Sequence, residues 1–314
     1  MRFIEYSYPQ KTNTKNLAVA LGYFDGVHIG HRKLIKELVN YAGKNNLTPC
    51  VFTFSNPPSK TKNTQTLIYN NQEKAALLES LGVKIIFSVN FSSVCSLFPE
   101  DFVNEVLIKK IGAEMCVAGF NFRFGYKASG KASDLAKIMA DNGKKTIIID
   151  EQTQNGKTLS STEIRALLSS KQIEQANEML GVPYFIHGIV EKGLGLGKHF
   201  GFPTVNTPTR DDSPLPVGVY RTAVRIKDRL YTGITNIGHC PTVEMRNVHA
   251  ETLIADFNGD LYGEEIFIYI LEYLRDERKF DSVDELREQI YRDRDISVNK
   301  NGDLKWLATG LNLP

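Results

Sequence analysis

Five short apolar runs, at residues 17–21, 47–54, 83–89, 115–119 and 145–150, recur through the first half of this chain. Between them lie stretches at 32–42, 72–81, 102–111 and 134–142 whose apolar residues return at helical spacing. A strand followed by a helix cannot fold back as a tight hairpin. The helix carries the chain across a sheet face, and the next strand runs parallel to the last. The pattern therefore predicts an α/β doubly wound, mostly parallel sheet. In such sheets ligands sit beyond the carboxyl ends of the strands, where the strand order reverses.

The first run, Leu17-Ala18-Val19-Ala20-Leu21, leads into Gly22-Tyr23-Phe24-Asp25-Gly26-Val27-His28-Ile29-Gly30-His31. Arg32 then opens an amphipathic helix, so the glycines and histidines occupy a strand-to-helix turn. Glycines let the backbone bend sharply and admit a ligand closely. The helix start offers unpaired N–H groups and the positive end of the dipole, a seat for phosphate. His28 and His31 are three apart and share a face. Together they can donate hydrogen bonds to a phosphate and stabilise charge during its transfer. Two of the chain's 6 histidines lie in these four positions. A plain glycine turn with surface histidines is the blander alternative, and a metal site lacks further ligands at the usual spacing. Gly22, Phe24, Asp25, Gly26, His28 and His31 are thus the candidate phosphate-binding residues, the two histidines being the candidate catalytic pair.

Three later stretches carry polar or aromatic groups at strand or helix ends. Thr53-Phe54-Ser55-Asn56-Pro57-Pro58 follows the second run and reads alone as a proline turn. Gly119-Phe120-Asn121-Phe122-Arg123-Phe124-Gly125 alternates aromatics with an amide and an arginine, which could stack a flat ring and hold its polar edges. A buried edge would look the same. Ser160-Ser161-Thr162-Glu163-Ile164-Arg165 has the form of a capping box, and its hydroxyls and arginine could also grip phosphate.

The pattern changes after a helical stretch at 172–180 that Gly181 ends. We expect two domains, 1–182 and 183–314, as the length of 314 residues allows. Short alternating runs at 185–190, 218–226, 230–234, 252–255 and 266–271 predict a small antiparallel β-barrel. A charged helix at 282–292 closes it, with Ser282 and Glu285 as a second capping box. Asn258-Gly259 reads as a hairpin turn between two strands, which would place Glu251 at a strand start. The loop Gly193-Leu194-Gly195-Leu196-Gly197-Lys198-His199-Phe200-Gly201 fits neither P-loop nor dinucleotide spacing, and by itself is a glycine hinge. It leads to Phe202-Pro203-Thr204-Val205-Asn206, whose hydroxyl and amide are neutral oxygen ligands that suit Mg²⁺.

A net charge of +2 offers no basic surface for nucleic acid or an anionic membrane. Four cysteines without a C-x-x-C pair suit a reducing compartment. The opening Met1-Arg2-Phe3-Ile4-Glu5-Tyr6 lacks the apolar core of a leader, and no apolar run nears the roughly 20 residues that span a bilayer. A cytoplasmic protein that acts on small molecules is expected.

The histidine turn resembles the HxGH nucleotidyltransferases, and its Phe24-Asp25-Gly26 prefix the flavin adenylyltransferases among them. The resemblance implies that Ser161, Thr162 and Arg165 grip the ATP triphosphate, that Asn121 contacts the nucleotide, and that Phe54 and Phe122 contact flavin. The second half resembles the riboflavin kinases. This implies that Thr204 and Asn206 sit by Mg²⁺ and that Gly193, Gly195, Gly197, Lys198 and Gly201 cover the nucleotide. It also implies that Glu251 is the catalytic base and that Arg275 lies near the flavin. Spacing alone leaves Glu251 an ordinary strand glutamate. Ser55 and Pro57 stand where relatives usually carry an acidic residue and a histidine, and Cys240 where a basic residue is common. Taken together, the chain resembles the bifunctional enzymes that phosphorylate riboflavin to FMN and adenylylate FMN to FAD, each with ATP. A chain retaining kinase activity alone, and a flavin- or nucleotide-sensing regulator, are the alternatives.

Overall fold

The computed structural model describes residues 1–55, 66–154, 157–193, 202–239, 248–300, 307 and 313–314. Contacts divide the chain into two compact units, one of Met1–Gln65 and Tyr69–Ser160 with Pro314, the other of Thr66–Ile68 and Ser161–Leu313.

The first unit contains β1 (Arg2–Tyr6), β2 (Leu17–Leu21), α1 (Ile29–Lys44), β3 (Thr48–Phe54), α2 (Asn71–Ser80) and β4 (Ile85–Val89). It continues through α3 (Pro99–Asp101), which runs into a π-helical segment Phe102–Lys110, to β5 (Ala113–Gly119). The short pair β6 (Arg123–Phe124) and β7 (Gly130–Lys131) precedes α4 (Ala132–Asp141) and β8 (Lys145–Ile149). A two-stranded ribbon, β9 (Thr153–Gln154) with β10 (Lys157–Thr158), follows. The main sheet has the order β1-β4-β3-β2-β5-β8, and every neighbouring pair is parallel.

All five residues of β2 are buried, as an interior strand of a sheet covered on both faces requires. Leu17, Val19, Leu21, Cys50, Phe52 and Phe87 form one face of the core with Phe102, Val106 and Leu135 of the helices packed on it. From β2 the chain adds β3 and β4 on one side and then crosses to β5 on the other. The reversal lies between β2 and β5, so the turns that leave these two strands stand side by side. The expected doubly wound sheet is present, with β1 as a sixth strand that the apolar runs do not announce.

The second unit begins with α5 (Ser161–Ser169) and α6 (Ile173–Leu180), which Gly181 ends in the left-handed region at φ 74°. Six strands follow: β11 (Tyr184–Ile189), β12 (Thr204–Pro208), β13 (Gly218–Ile226), β14 (Arg229–His239), β15 (Val248–Ile254) and β16 (Glu265–Arg275). They form one curled antiparallel sheet in the order β11-β16-β13-β14-β15-β12, and its edges meet through the bridge Glu191–Asn206. The C-terminal helix α7 (Val283–Asn299) packs on β14 and β13. Helix α6 is tied to this sheet, since Asn177 Nδ2 donates to Ile270 O at 2.9 Å and Asn177 Oδ1 accepts from Tyr184 N at 2.7 Å. The compact units accordingly divide after Ser160, ahead of the residue-182 boundary placed from the sequence.

Two local expectations need correction. Asn258-Gly259 does not join paired strands: β15 pairs with β14 and β12, whereas β16 pairs with β11 and β13. Glu251 consequently sits in the middle of β15, not at its start. Ser282 caps α7 by accepting from Glu285 N at 3.1 Å, but the Glu285 carboxylate accepts from Asp281 N at 3.2 Å, so the box is only half made.

Candidate active sites

In the first unit the turn after β2 is held in a strained form. Phe24, Gly26 and Val27 take φ values of 54°, 81° and 41°, the left-handed region that a β-branched valine ordinarily avoids. The Phe24 ring is buried and lies over Gly22, where a Cβ would come within 2.9 Å of its Cζ. His28 is the N-cap of α1 with extended backbone, its side chain caps nothing, and no acidic residue occupies the first turn. The positive helix end is left for an anion.

The His28 and His31 rings stack at 3.7 Å between centroids, inclined by 21°, and Phe24 meets His31 edge-on at 5.2 Å. Neither Nδ1 atom finds a hydrogen-bond partner among the described residues. Burial pushes His28 down to about 4. His31 lies well below the usual imidazole value through burial first, then through the nearby charges of His28 and Lys74. Both rings are therefore neutral near pH 7.

Behind them stands Lys74 of α2, which sequence reasoning missed. Its Nζ donates to Tyr23 O at 3.4 Å and lies 5.0 Å from the Tyr23 ring centroid. Burial brings it down to about 8 against the opposing pull of buried Asp25. A lysine on a charged helix carries no sequence mark of burial.

A cleft of about 730 Å³ runs from Gly22, Phe24 and His31 past Phe52, Phe54, Phe91 and Phe102 to Asn121, Phe122 and Phe124. Phe54 meets Phe91 edge-on at 5.1 Å, and Phe122 stacks on Phe124 at 5.5 Å. The cleft thus has a phosphate-suited end at α1 and an aromatic end that can take a flat ring. His28, Asp25 and Gly26 form the turn behind it without lining it. Ser55 directly follows β3, its hydroxyl donating to Val89 O at 3.3 Å, while Asn56, Pro57 and Pro58 fall outside the described residues. Ser161, Thr162 and Arg165 lie in α5 of the second unit, where Arg165 donates to Thr162 Oγ1 at 3.3 Å.

In the second unit, Thr204 and Asn206 belong to β12 rather than to a loop end, so their side chains share one face. The register places Asn206 of β12, Glu251 of β15 and Asn236 of β14 in one cross-strand row. The next row is Thr204, Leu253 and Ile234. Thr204 Oγ1 donates to Glu251 Oε1 at 2.6 Å. These residues, except Asn206, line a cavity of about 320 Å³ with Phe202, Val219 and Phe280, walled by Leu286, Ile290 and Asp293 of α7.

Arg275 also lines the cavity, but its guanidinium is held by buried Asp293, with Nη2 donating to Oδ2 at 2.9 Å and Nε at 3.1 Å. Gln289 donates to the other Asp293 oxygen at 2.8 Å. Gly193 presses on Asn206, where a Cβ would lie 2.1 Å from its Nδ2. Gly195, Gly197, Lys198, Gly201 and Cys240 lie outside the described residues. Among the described residues no group of three or more His, Cys, Asp or Glu is placed to hold a metal.

Comparison with known proteins separates the two units. The FAD synthetase family matches residues 10–163, and the riboflavin kinase family matches residues 180–300. The chain is 33% identical to the bifunctional riboflavin kinase/FMN adenylyltransferase of Bacillus subtilis, over 97% of this chain and 100% of that one. The protein of the same description from Escherichia coli K12 is 32% identical over 88% of this chain and 90% of its own. The chain belongs to the bifunctional riboflavin kinase/FMN adenylyltransferase family. It is an enzyme of flavin cofactor biosynthesis, making FMN and FAD with ATP and flavins as substrates. A solved structure from Streptococcus pneumoniae, described as a macrolide-efflux protein, is 31% identical with a TM-score of 0.81, covering 95% of this chain and 99% of that one. Among the described residues no helix is long and apolar enough to cross a membrane.

Proposed function

We propose that the two reactions run at the two cavities just described, with functional domains spanning 1–182 and 183–314. In the N-terminal cleft the FMN phosphate attacks the α-phosphorus of ATP and pyrophosphate leaves. Phe54 and Phe122 hold the flavin ring and Asn121 the nucleotide, while the α1 N-terminus with His28 and His31 donates hydrogen bonds to the phosphate being transferred. Neutral imidazoles carry one N–H each, which suits them to donation without a fixed positive charge. No covalent enzyme intermediate is required, so catalysis is positioning and electrostatics. The role of Ser161, Thr162 and Arg165 in gripping ATP rests on the motif resemblance.

In the C-terminal cavity the 5′-hydroxyl of riboflavin attacks the γ-phosphorus of ATP, Glu251 accepts its proton, and ADP leaves. The apolar wall of Phe202, Val219, Leu253 and Phe280 suits the flavin ring. The Thr204 hydroxyl and Asn206 carboxamide are hard oxygen donors that fit Mg²⁺, which when bound would neutralise phosphate charge. The backbone of Gly193 closes on Asn206 where any side chain would intrude, as expected of a cradle around such a group. The free cysteines Cys50, Cys95 and Cys116 agree with a reducing, cytoplasmic setting.

The observation that carries this division of labour is that His31, Phe54, Asn121 and Phe122 line a cleft within the first unit, whereas Thr204 and Glu251 line a cavity within the second. The test is a chromatographic product assay on variants. Glu251→Ala should abolish FMN formation from riboflavin yet leave FAD formation from supplied FMN, and His28→Ala with His31→Ala should do the reverse. If either change removed both activities in a folded protein, the assignment would be wrong.

A further inference from the structure

Among the polar groups that line the cavity beside α7 without a part in the proposed chemistry, Asn236 stands next to the candidate base. It lies directly opposite Glu251 in the β14–β15 register. Cross-strand partners share a face, with Cβ atoms about 4.5–5.5 Å apart. The Asn236 amide is oriented by chemistry: its Nδ2 donates to Glu277 Oε1 at 2.9 Å. A carboxylate only accepts, so the nitrogen must face Glu277 and Oδ1 must be the other end.

That Oδ1 is shut from solvent and accepts no hydrogen bond among the described residues. The nearby Thr204 hydroxyl already donates to Glu251 Oε1. Among the described residues Asn236 Oδ1 is thus left without a donor, on the cross-strand partner of Glu251. Buried acceptors left this way are rare in native proteins and call for a missing donor. A polyol chain presents adjacent O–H donors at the spacing of neighbouring carbons, which is the substrate chemistry this pair matches.

We propose that Asn236 is a substrate-binding residue for riboflavin phosphorylation, its Oδ1 accepting a hydrogen bond from a ribityl hydroxyl next to the one that Glu251 deprotonates. The contact orients the terminal hydroxyl for attack and selects flavins with a hydroxylated side chain. Glu277 is a positioning residue, acting through the Asn236 amide. The proposal rests on the kinase reading of this cavity, with Glu251 as base.

The test compares riboflavin with a flavin whose N10 chain is 5-hydroxypentyl, which keeps the terminal hydroxyl and lacks the internal ones. Asn236→Ala should lower kcat/KM for riboflavin about 10- to 100-fold, the range of one lost hydrogen bond to a reacting substrate. KM for ATP should stay within about twofold, and the hydroxypentyl flavin should react equally with both proteins. An equal loss on the two flavins, or a matching rise in KM for ATP, would overturn the proposal, since either outcome would mean that Asn236 only supports the fold. If the alanine variant does not fold, Asn236→Ser is taken through the same comparison. Glu251→Ala distinguishes the two levels. FMN formation surviving in Glu251→Ala would sink the kinase reading. FMN formation lost there, with riboflavin kinetics unchanged in Asn236→Ala, would sink only this proposal.

Discussion

Acidification offers a direct test of the buried histidine pair. Burial holds His28 near 4, against 6.5 for an unperturbed imidazole. Between these values the unfolded chain binds a proton that the folded chain refuses, so stability is present above pH 6.5 and is lost as pH falls. The loss levels off below about 4, where the folded protein is protonated too. Each pH unit in the window is worth about 1.4 kcal/mol. Going from pH 7.5 to pH 5 should therefore remove about 2 kcal/mol through His28 alone. His31 is displaced in the same direction, so it adds to the loss.

The assay has two arms. Proton resonances of histidine, assigned with a His28→Gln variant, should show both rings neutral at pH 7, with His28 titrating near 4 and His31 well below the usual imidazole value. Urea unfolding of the first unit should lose about 2 kcal/mol less on acidification in His28→Gln than in the parent. Added ATP should raise both titrations, because phosphate charge favours imidazolium. A His28 resonance titrating near 6.5, or the same acid sensitivity in variant and parent, would refute a buried neutral pair.

Two further changes separate the sites. Gly193→Ala places a methyl group 2.1 Å from Asn206 Nδ2, so it should displace that carboxamide and cut FMN formation at least tenfold, while FAD formation from FMN is unchanged. Phe122→Ala removes one ring of a stacked pair in the cleft and should raise KM for FMN about tenfold, for roughly 1–1.5 kcal/mol of lost ring contact, without touching riboflavin phosphorylation. Steady-state kinetics of the two half-reactions check both.

The parts of this account legible in the sequence are those that local pattern determines. The β2 run, the glycine turn and the start of α1 lie within a few neighbouring residues, so their strand–turn–helix form shows directly. Of the edge strands, β8 and β11 coincide with the apolar runs at 145–150 and 185–190, but β1 and β12 carry no such run. β1 buries only Tyr6 fully, and β12 is Thr204-Val205-Asn206-Thr207-Pro208, a polar stretch made a strand by pairing with β15. Asn258-Gly259 carries a sound turn signal, but strand partners are chosen by the whole sheet, and the strands flanking it find other neighbours. The row Asn206–Glu251–Asn236 depends on register between strands distant in sequence, which no single stretch encodes. Lys74 and Asp293 are hidden for a related reason: each is a charged residue on a helix whose burial follows from what packs against it.

The most direct measurement of the two-site account is a mixing experiment. The Glu251→Ala protein and the His28→Ala, His31→Ala protein are each incubated with riboflavin, ATP and Mg²⁺, then combined in one tube. Separately neither should make FAD, the first stopping at riboflavin and the second at FMN. Mixed, they should produce FAD, because FMN released from one chain is adenylylated by the other. A mixture that still makes no FAD, or either variant making FAD alone, would contradict two independently assigned sites.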